Sequence, residues 1–142
     1  MSTRRPLVAG NWKLNGSRSA NRALVVAIAD GLASADLGPD TLAGPRAPLD
    51  VLICPPFVYL AEVVGLVEGR YLAVGAQDVA VEEAGAFTGE VSAEMLRDVA
   101  CRYVIVGHSE RRALFGDSDE RVAAKVAAAL RAGLAPILCV GE

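Results

Sequence analysis

Apolar positions along this chain fall into two alternating patterns. One is the short unbroken run. Tyr103-Val104-Ile105-Val106 is β-branched and aromatic throughout and is then broken by Gly107, which reads as a buried strand. Runs at 7–9, 50–54, 72–77 and 135–141 read the same way. The other pattern is a spaced one. Leu24, Ile28 and Leu32 recur every fourth residue with Val25 beside them, and Val122, Val126 and Leu130 repeat the spacing, each set marking the buried face of a helix. A further helix starts near Phe57 or Val58, after Pro55-Pro56, and runs to Val67; a short one includes Met95 and Leu96. Ser17 or Ser19, Ser92, and Asp117 or Ser118 supply N-caps, and a helical turn follows Ser109. Gly133 suits the position just past a helix end, and Asn15-Gly16 is a turn.

Strand and helix therefore alternate, ending on a fifth strand. That order predicts an α/β fold with parallel strands, outer helices and right-handed crossovers. The strands are apolar throughout, as expected where both faces are covered. Five strands suit an open doubly wound sheet or part of a barrel, and the pattern does not choose. Two stretches fall outside the alternation. The segment 37–49, with Gly38, Pro39, Gly44, Pro45 and Pro48, reads as a surface excursion without chemistry. The loop 78–91 contains Gly85-Ala86-Phe87-Thr88-Gly89-Glu90, which fits neither phosphate-binding glycine pattern and reads as a protruding binding loop.

Length and composition narrow the function. At 142 residues and 53% hydrophobic, with a mean hydropathy of +0.36, the chain is sized for one ordered domain, 1–142. A net charge of −3 gives no reason to expect nucleic acid or an anionic membrane as partner. The two arginines near the N-terminus lead into no apolar segment of signal-peptide type, and no run is long enough to span a bilayer. Cys54, Cys101 and Cys139 are odd in number and widely spaced, so they read as three buried thiols in a reducing cytoplasm, with no metal site or disulfide.

The candidate chemistry lies just past strand ends. His108 is the only histidine and follows a strand end directly, where parallel α/β folds place active sites. It precedes Ser109 and Glu110, both favoured at a helix start, and the N–H groups there disfavour imidazolium. A neutral ring can donate to a substrate oxygen. Lys13 follows the first strand at the same expected end of the sheet, with Asn11 on the same side. A lysine and a neutral histidine form a suitable pair for stabilising an oxyanion or enediolate. Glu110 reads as a general base, a capping carboxylate, or an ion-pair partner of Arg111, Arg112 or Lys13.

Taken together these blocks resemble the triosephosphate isomerase family. The resemblance rests on Ala9-Gly10-Asn11-Trp12-Lys13-Leu14-Asn15-Gly16, Gly75-Ala76-Gln77-Asp78 and 85–92, then Val106-Gly107-His108-Ser109-Glu110-Arg111-Arg112 and 136–142. It implies a partial (β/α)8 barrel that keeps five strands of eight. The implied reaction interconverts dihydroxyacetone phosphate and glyceraldehyde 3-phosphate, in glycolysis and gluconeogenesis, without a cofactor. By position it makes Lys13 the stabiliser of negative charge, His108 the electrophile and proton shuttle, Asn11 an orienting residue, and Glu110 a buried supporting carboxylate. That division of labour is a standard example drawn from this same family, and is borrowed rather than derived. Thr88, Phe87 and Gln77 fall at the family's dimer interface.

Asp78 stands where the family usually has Asn, and the 37–49 excursion is longer than usual. The family's catalytic glutamate, closing loop and phosphate grip would all lie beyond residue 142; Glu142 matches the acidic residue ending strand five instead. The expectation is therefore a chain with little or no isomerase activity by itself. Its open sheet edges would favour self-association, or pairing with a partner chain that supplies the remaining strands. The alternatives are one half of a split enzyme and a non-catalytic assembly module.

Overall fold

The structure is a computed structural model that describes residues 4–35 and 49–141. Apart from Leu49, the 37–49 excursion lies outside the described residues. Five strands follow one another in the order β1-β2-β3-β4-β5, every neighbouring pair parallel, as the alternation predicts. The chain divides within β3 into two compact units, Met1–Val74 and Gly75–Glu142.

In the first unit β1 (Leu7–Asn11) lies beside β2 (Asp50–Cys54), with Leu7 opposite Asp50 and Asn11 opposite Cys54. Trp12 N–H donates to Cys54 O at 3.1 Å and carries the ladder one residue further. β2 pairs in turn with the start of β3 (Ala73–Ala76). Helix α1 (Arg18–Ser34) is capped by the Ser17 hydroxyl, which accepts from Ala20 N–H. A 3-10 turn (Phe57–Tyr59) leads into α2 (Leu60–Val67), and the two helices pack together. Val25, Leu52, Ile53, Leu60 and Val63 fill the core. Each large aliphatic side chain buried there contributes about 1.5–3 kcal/mol.

The buried row of α1 is Asn21, Val25 and Ala29, one residue out of phase with the Leu24, Ile28 and Leu32 face read from the sequence. Leu24 is exposed. A polar residue at Asn21 and a small one at Ala29 hid the true row from a count of large apolar residues. The open edge expected of β1 is present. Leu7 and Val8 are 43% and 58% exposed, because among the described residues β1 has a neighbour on one edge only.

The second unit holds the end of β3, α3 (Ala93–Asp98), β4 (Tyr103–Val106), α4 (Ser109–Phe115), α5 (Asp119–Arg131) and β5 (Ala135–Leu138). β4 pairs with β3 through Gly75/Tyr103 and Ala76/Val104, and with β5 from Tyr103/Ala135 to Val106/Leu138. Ser92 and Ser118 cap α3 and α5 as expected, and Gly133, at φ +79°, takes the left-handed position after α5. The buried face of α5 is Val122, Lys125, Ala128 and Ala129. Leu130, expected on that face, is 62% exposed, since a buried lysine rotates the helix away from the all-apolar row. β5 is only half covered, with Leu138 48% exposed.

None of the three cysteines is in a disulfide, and they are not equivalent. Cys54 and Cys101 are buried as read; Cys139, just past the half-covered β5, is only partly so. Burial pushes the Cys101 thiol up to about 11. Under native conditions a thiol-specific reagent is therefore expected to modify Cys139 first. Cys54 and Cys101 should react only at the rate of unfolding, as mass spectrometry of partly labelled protein would reveal. Equal rates at all three would contradict this burial pattern.

Candidate active site

Asn11 and Lys13 sit at the carboxyl end of β1. Lys13 is exposed and adopts φ +55°, a left-handed conformation that costs a non-glycine residue about 1–3 kcal/mol. The Asn11 carboxamide holds the bend, its Oδ1 accepting from Lys13 N–H at 2.9 Å. Asn15 Nδ2 donates to Trp12 O at 2.8 Å and closes the turn that follows. Asn11 and Lys13 are thus held together by a backbone bend just past β1.

His108 occupies the matching place after β4. Gly107 makes the corner at φ +71°, and a Cβ there would come within 2.8 Å of Val122 Cγ1 and 2.9 Å of an Arg112 guanidinium nitrogen. Only glycine meets both conditions. The turn starts the helix one residue early, so that His108, and not Ser109, is the N-cap. Its Nδ1 accepts from Glu110 N–H at 3.2 Å. Glu110 Oε2 lies 3.5 Å from the same nitrogen, beyond ordinary hydrogen-bond length, so the backbone donor sets the tautomer. The ring proton then resides on Nε2, leaving the half-buried imidazole a donor.

Behind this corner lies a cluster that the sequence reading missed. Lys125 is 1% exposed and donates to Asp78 Oδ1 at 2.8 Å and Asp117 Oδ2 at 2.9 Å. Arg111 Nε bridges the other side, 3.0 Å from Asp78 and 3.2 Å from Asp117, with its guanidinium stacked over Phe115. Lys125 and Arg111 thus face Asp78 and Asp117 inside the unit, and the more exposed Arg121 reaches Asp117 from its rim at 3.5 Å. Burial by itself would raise the Asp117 carboxyl, but hydrogen bonding and attraction from Lys125, then Arg111, outweigh it and hold it below the usual range. Arg112 serves the backbone instead, donating to Gly107 O at 2.7 Å and Cys139 O at 3.1 Å, and pairs with Asp119.

The 78–91 loop closes on itself. Ala80 N–H donates to Val91 O at its neck, and Glu90 N–H to Phe87 O near its tip. Phe87 and Thr88 are exposed, whereas Gln77, immediately after β3, is half-buried. No group of three or more His, Cys, Asp or Glu placed to hold a metal occurs among the described residues.

The sequence model of the triosephosphate isomerase family matches residues 6–142. The chain belongs to the triosephosphate isomerase family. It is similar to the triosephosphate isomerase of Magnetococcus marinus, 56% identical over 139 residues that make up 98% of this chain and 51% of that protein. It is also similar to that of an Azoarcus species, 54% identical over 96% of this chain and 50% of that one. Among solved structures, the crystal structure of triosephosphate isomerase from Bartonella henselae superposes with a TM-score of 0.84 at 38% identity, covering 98% of this chain and 53% of that one. The fold class is accordingly a partial (β/α)8 barrel, and the chain spans about half the length of the curated relatives it matches.

The Asp78 side chain has a physical role within its own unit. Its carboxylate supplies one of the two negative charges facing Lys125 and Arg111. The signal was present in the sequence as a lysine three residues after Val122, on the helix face toward the core, but lysine is so seldom buried that the spacing was passed over. Removing one member leaves uncompensated charge inside, at a cost of about 3–5 kcal/mol. Asp117→Asn is expected to show that loss in urea unfolding at neutral pH. Because the folded pKa lies below the unfolded one, the Asp117 contribution is complete above about pH 4 and fades as pH falls through the folded value. The gap between wild type and variant should therefore narrow in acid. Gly107→Ala is expected to lose about 2–4 kcal/mol from strain and overpacking, read from the same unfolding curves.

Proposed function

We propose that this polypeptide supplies the electrophilic half of triose phosphate isomerisation, the interconversion of dihydroxyacetone phosphate and glyceraldehyde 3-phosphate. The observation that carries the reading is the hydrogen bond from Glu110 N–H to His108 Nδ1. It leaves Nε2–H to donate to the substrate carbonyl oxygen as a base removes the proton from the neighbouring carbon. Electrons from that C–H bond form the C=C of an enediol, and the carbonyl oxygen takes up negative charge. On this reading Lys13, exposed on its strained backbone with Asn11 fixing the bend, supplies the positive charge that stabilises that oxygen. Return of the proton to the adjacent carbon, with His108 moving a proton between the two oxygens, completes the exchange.

The base, the phosphate anchor and the lid fall to the part of the family length that this chain does not span. The same reading gives Thr88, Phe87 and Gln77 a role in contact with a second copy of the chain. It also sets the protein in a reducing cytoplasm, in keeping with three cysteines outside any disulfide.

The test is complementation. The 142-residue chain is expected to show negligible isomerase turnover alone. Mixed with the remainder of the Magnetococcus marinus enzyme, the part to which this chain does not align, it should acquire activity. His108→Gln should lower that activity by about 10²–10⁴-fold, as for loss of a positioned proton donor. Near-family turnover by the isolated chain, or complemented activity indifferent to His108→Gln, would refute the proposal.

A further inference from the structure

Arg112 is the fourth residue of α4, and its side chain turns back to the corner that carries His108. The guanidinium reaches three segments. Nε donates to Gly107 O at 2.7 Å, Nη2 donates to Cys139 O at 3.1 Å, and Nη1 donates to Asp119 Oδ1 at 2.6 Å. The Asp119 side chain is 89% exposed, so that pair adds little. The two carbonyl contacts are more sheltered, because the arginine side chain itself is only 28% exposed. Both lie where the sheet stops. Cys139 N–H donates to Val106 O at 2.9 Å and extends the β4/β5 ladder past β5. The next carbonyls along the two strands are Gly107 O and Cys139 O, and the left-handed turn at Gly107 takes the backbone out of line. Arg112 takes both, so its planar fork carries the pairing one residue further. The fit is close: a Cβ on Gly107 would stand 2.9 Å from Nη2.

Gly107 O belongs to the same planar peptide unit as His108 N. Fixing that oxygen fixes the plane from which the His108 Cα and ring project. The hydrogen bond from Glu110 N–H selects the nitrogen that stays unprotonated. It is formed only while the ring stands beside that amide. We propose that Arg112 is a positioning residue for His108: by tying the Gly107–His108 peptide to the end of β5, it keeps Nδ1 within reach of Glu110 N–H and Nε2–H aimed at the substrate oxygen. A lysine cannot replace it, since a single ammonium on a flexible stem lacks the rigid fork that spans two carbonyls. The substrate in this proposal rests on the isomerase reading, but the hold on the ring is measured without turnover.

His108 is the only histidine in the chain, so labelling histidine with nitrogen-15 leaves one ring to follow by NMR. In the 142-residue chain, in mildly alkaline buffer, that ring is expected as a single tautomer with its proton on Nε2. Arg112→Lys should mix the two tautomers and speed solvent exchange of the Glu110 amide about tenfold. Arg112→Gln, whose short carboxamide cannot span both carbonyls, should do the same. Asp119→Asn keeps both carbonyl contacts and should match wild type. When the chain is complemented with the remainder of the Magnetococcus marinus enzyme, Arg112→Lys should lower kcat by about 10–10²-fold with KM little changed. A merely structural arginine would lower the urea midpoint and leave the tautomer where it was. An unmixed Nε2–H ring with wild-type exchange at Glu110 in either folded Arg112 variant overturns the proposal. So does an equal change in Asp119→Asn, or a wild-type ring already divided between tautomers. Tautomer mixing in the Arg112 variants, with no turnover from complemented wild type, would support the positioning role and count against the isomerase reading alone.

Discussion

The four-charge cluster of Lys125, Asp78, Asp117 and Arg111 is the constraint on which the second unit depends. Its members come from the exit of β3, from α4, from the turn after α4 and from α5, so one group of charges ties four segments together. Hydrophobic contacts alone would let α5 roll toward the larger apolar row at Val126 and Leu130. A lysine with both acceptors in reach prevents that, since any rotation would separate buried opposite charges. Arg111 belongs to the same helix that His108 caps, so the cluster also holds the start of that helix in place.

The histidine corner is the functional outcome of that restraint. Three separate devices act within six residues: Gly107 turns left-handed where no side chain fits, Arg112 reaches back to the Gly107 carbonyl, and the imidazole caps its own helix. Each removes one freedom from the ring, and the last selects its tautomer. Lys13 is fixed by a different route, through backbone strain held by a neighbouring carboxamide. In both places the backbone turns left-handed just past a strand end.

Asn21 and Lys125 make an instructive contrast. Both are polar residues on the buried faces of amphipathic helices, and both are hidden from a reading that counts only large apolar side chains. Lys125 finds all its partners inside its own unit. Asn21 finds half of its partners there. A satisfied buried polar group serves the fold, whereas an unsatisfied one costs it the hydration that was lost.

The sequence by itself determined the alternation of strand and helix, the limits of β2 and β4, the serine caps, and the places of Asn11, Lys13, His108 and Glu110 at or just past strand ends. These follow from local rules: run length, spacing, capping chemistry and the freedom of glycine. Tertiary structure alone decided which row of each helix faces inward, that His108 and not Ser109 caps α4, and that Asp78 and Asp117 meet over a buried lysine. Those outcomes depend on which charges and carbonyls come within about 3 Å after folding, and spacing along the chain carries no record of that distance.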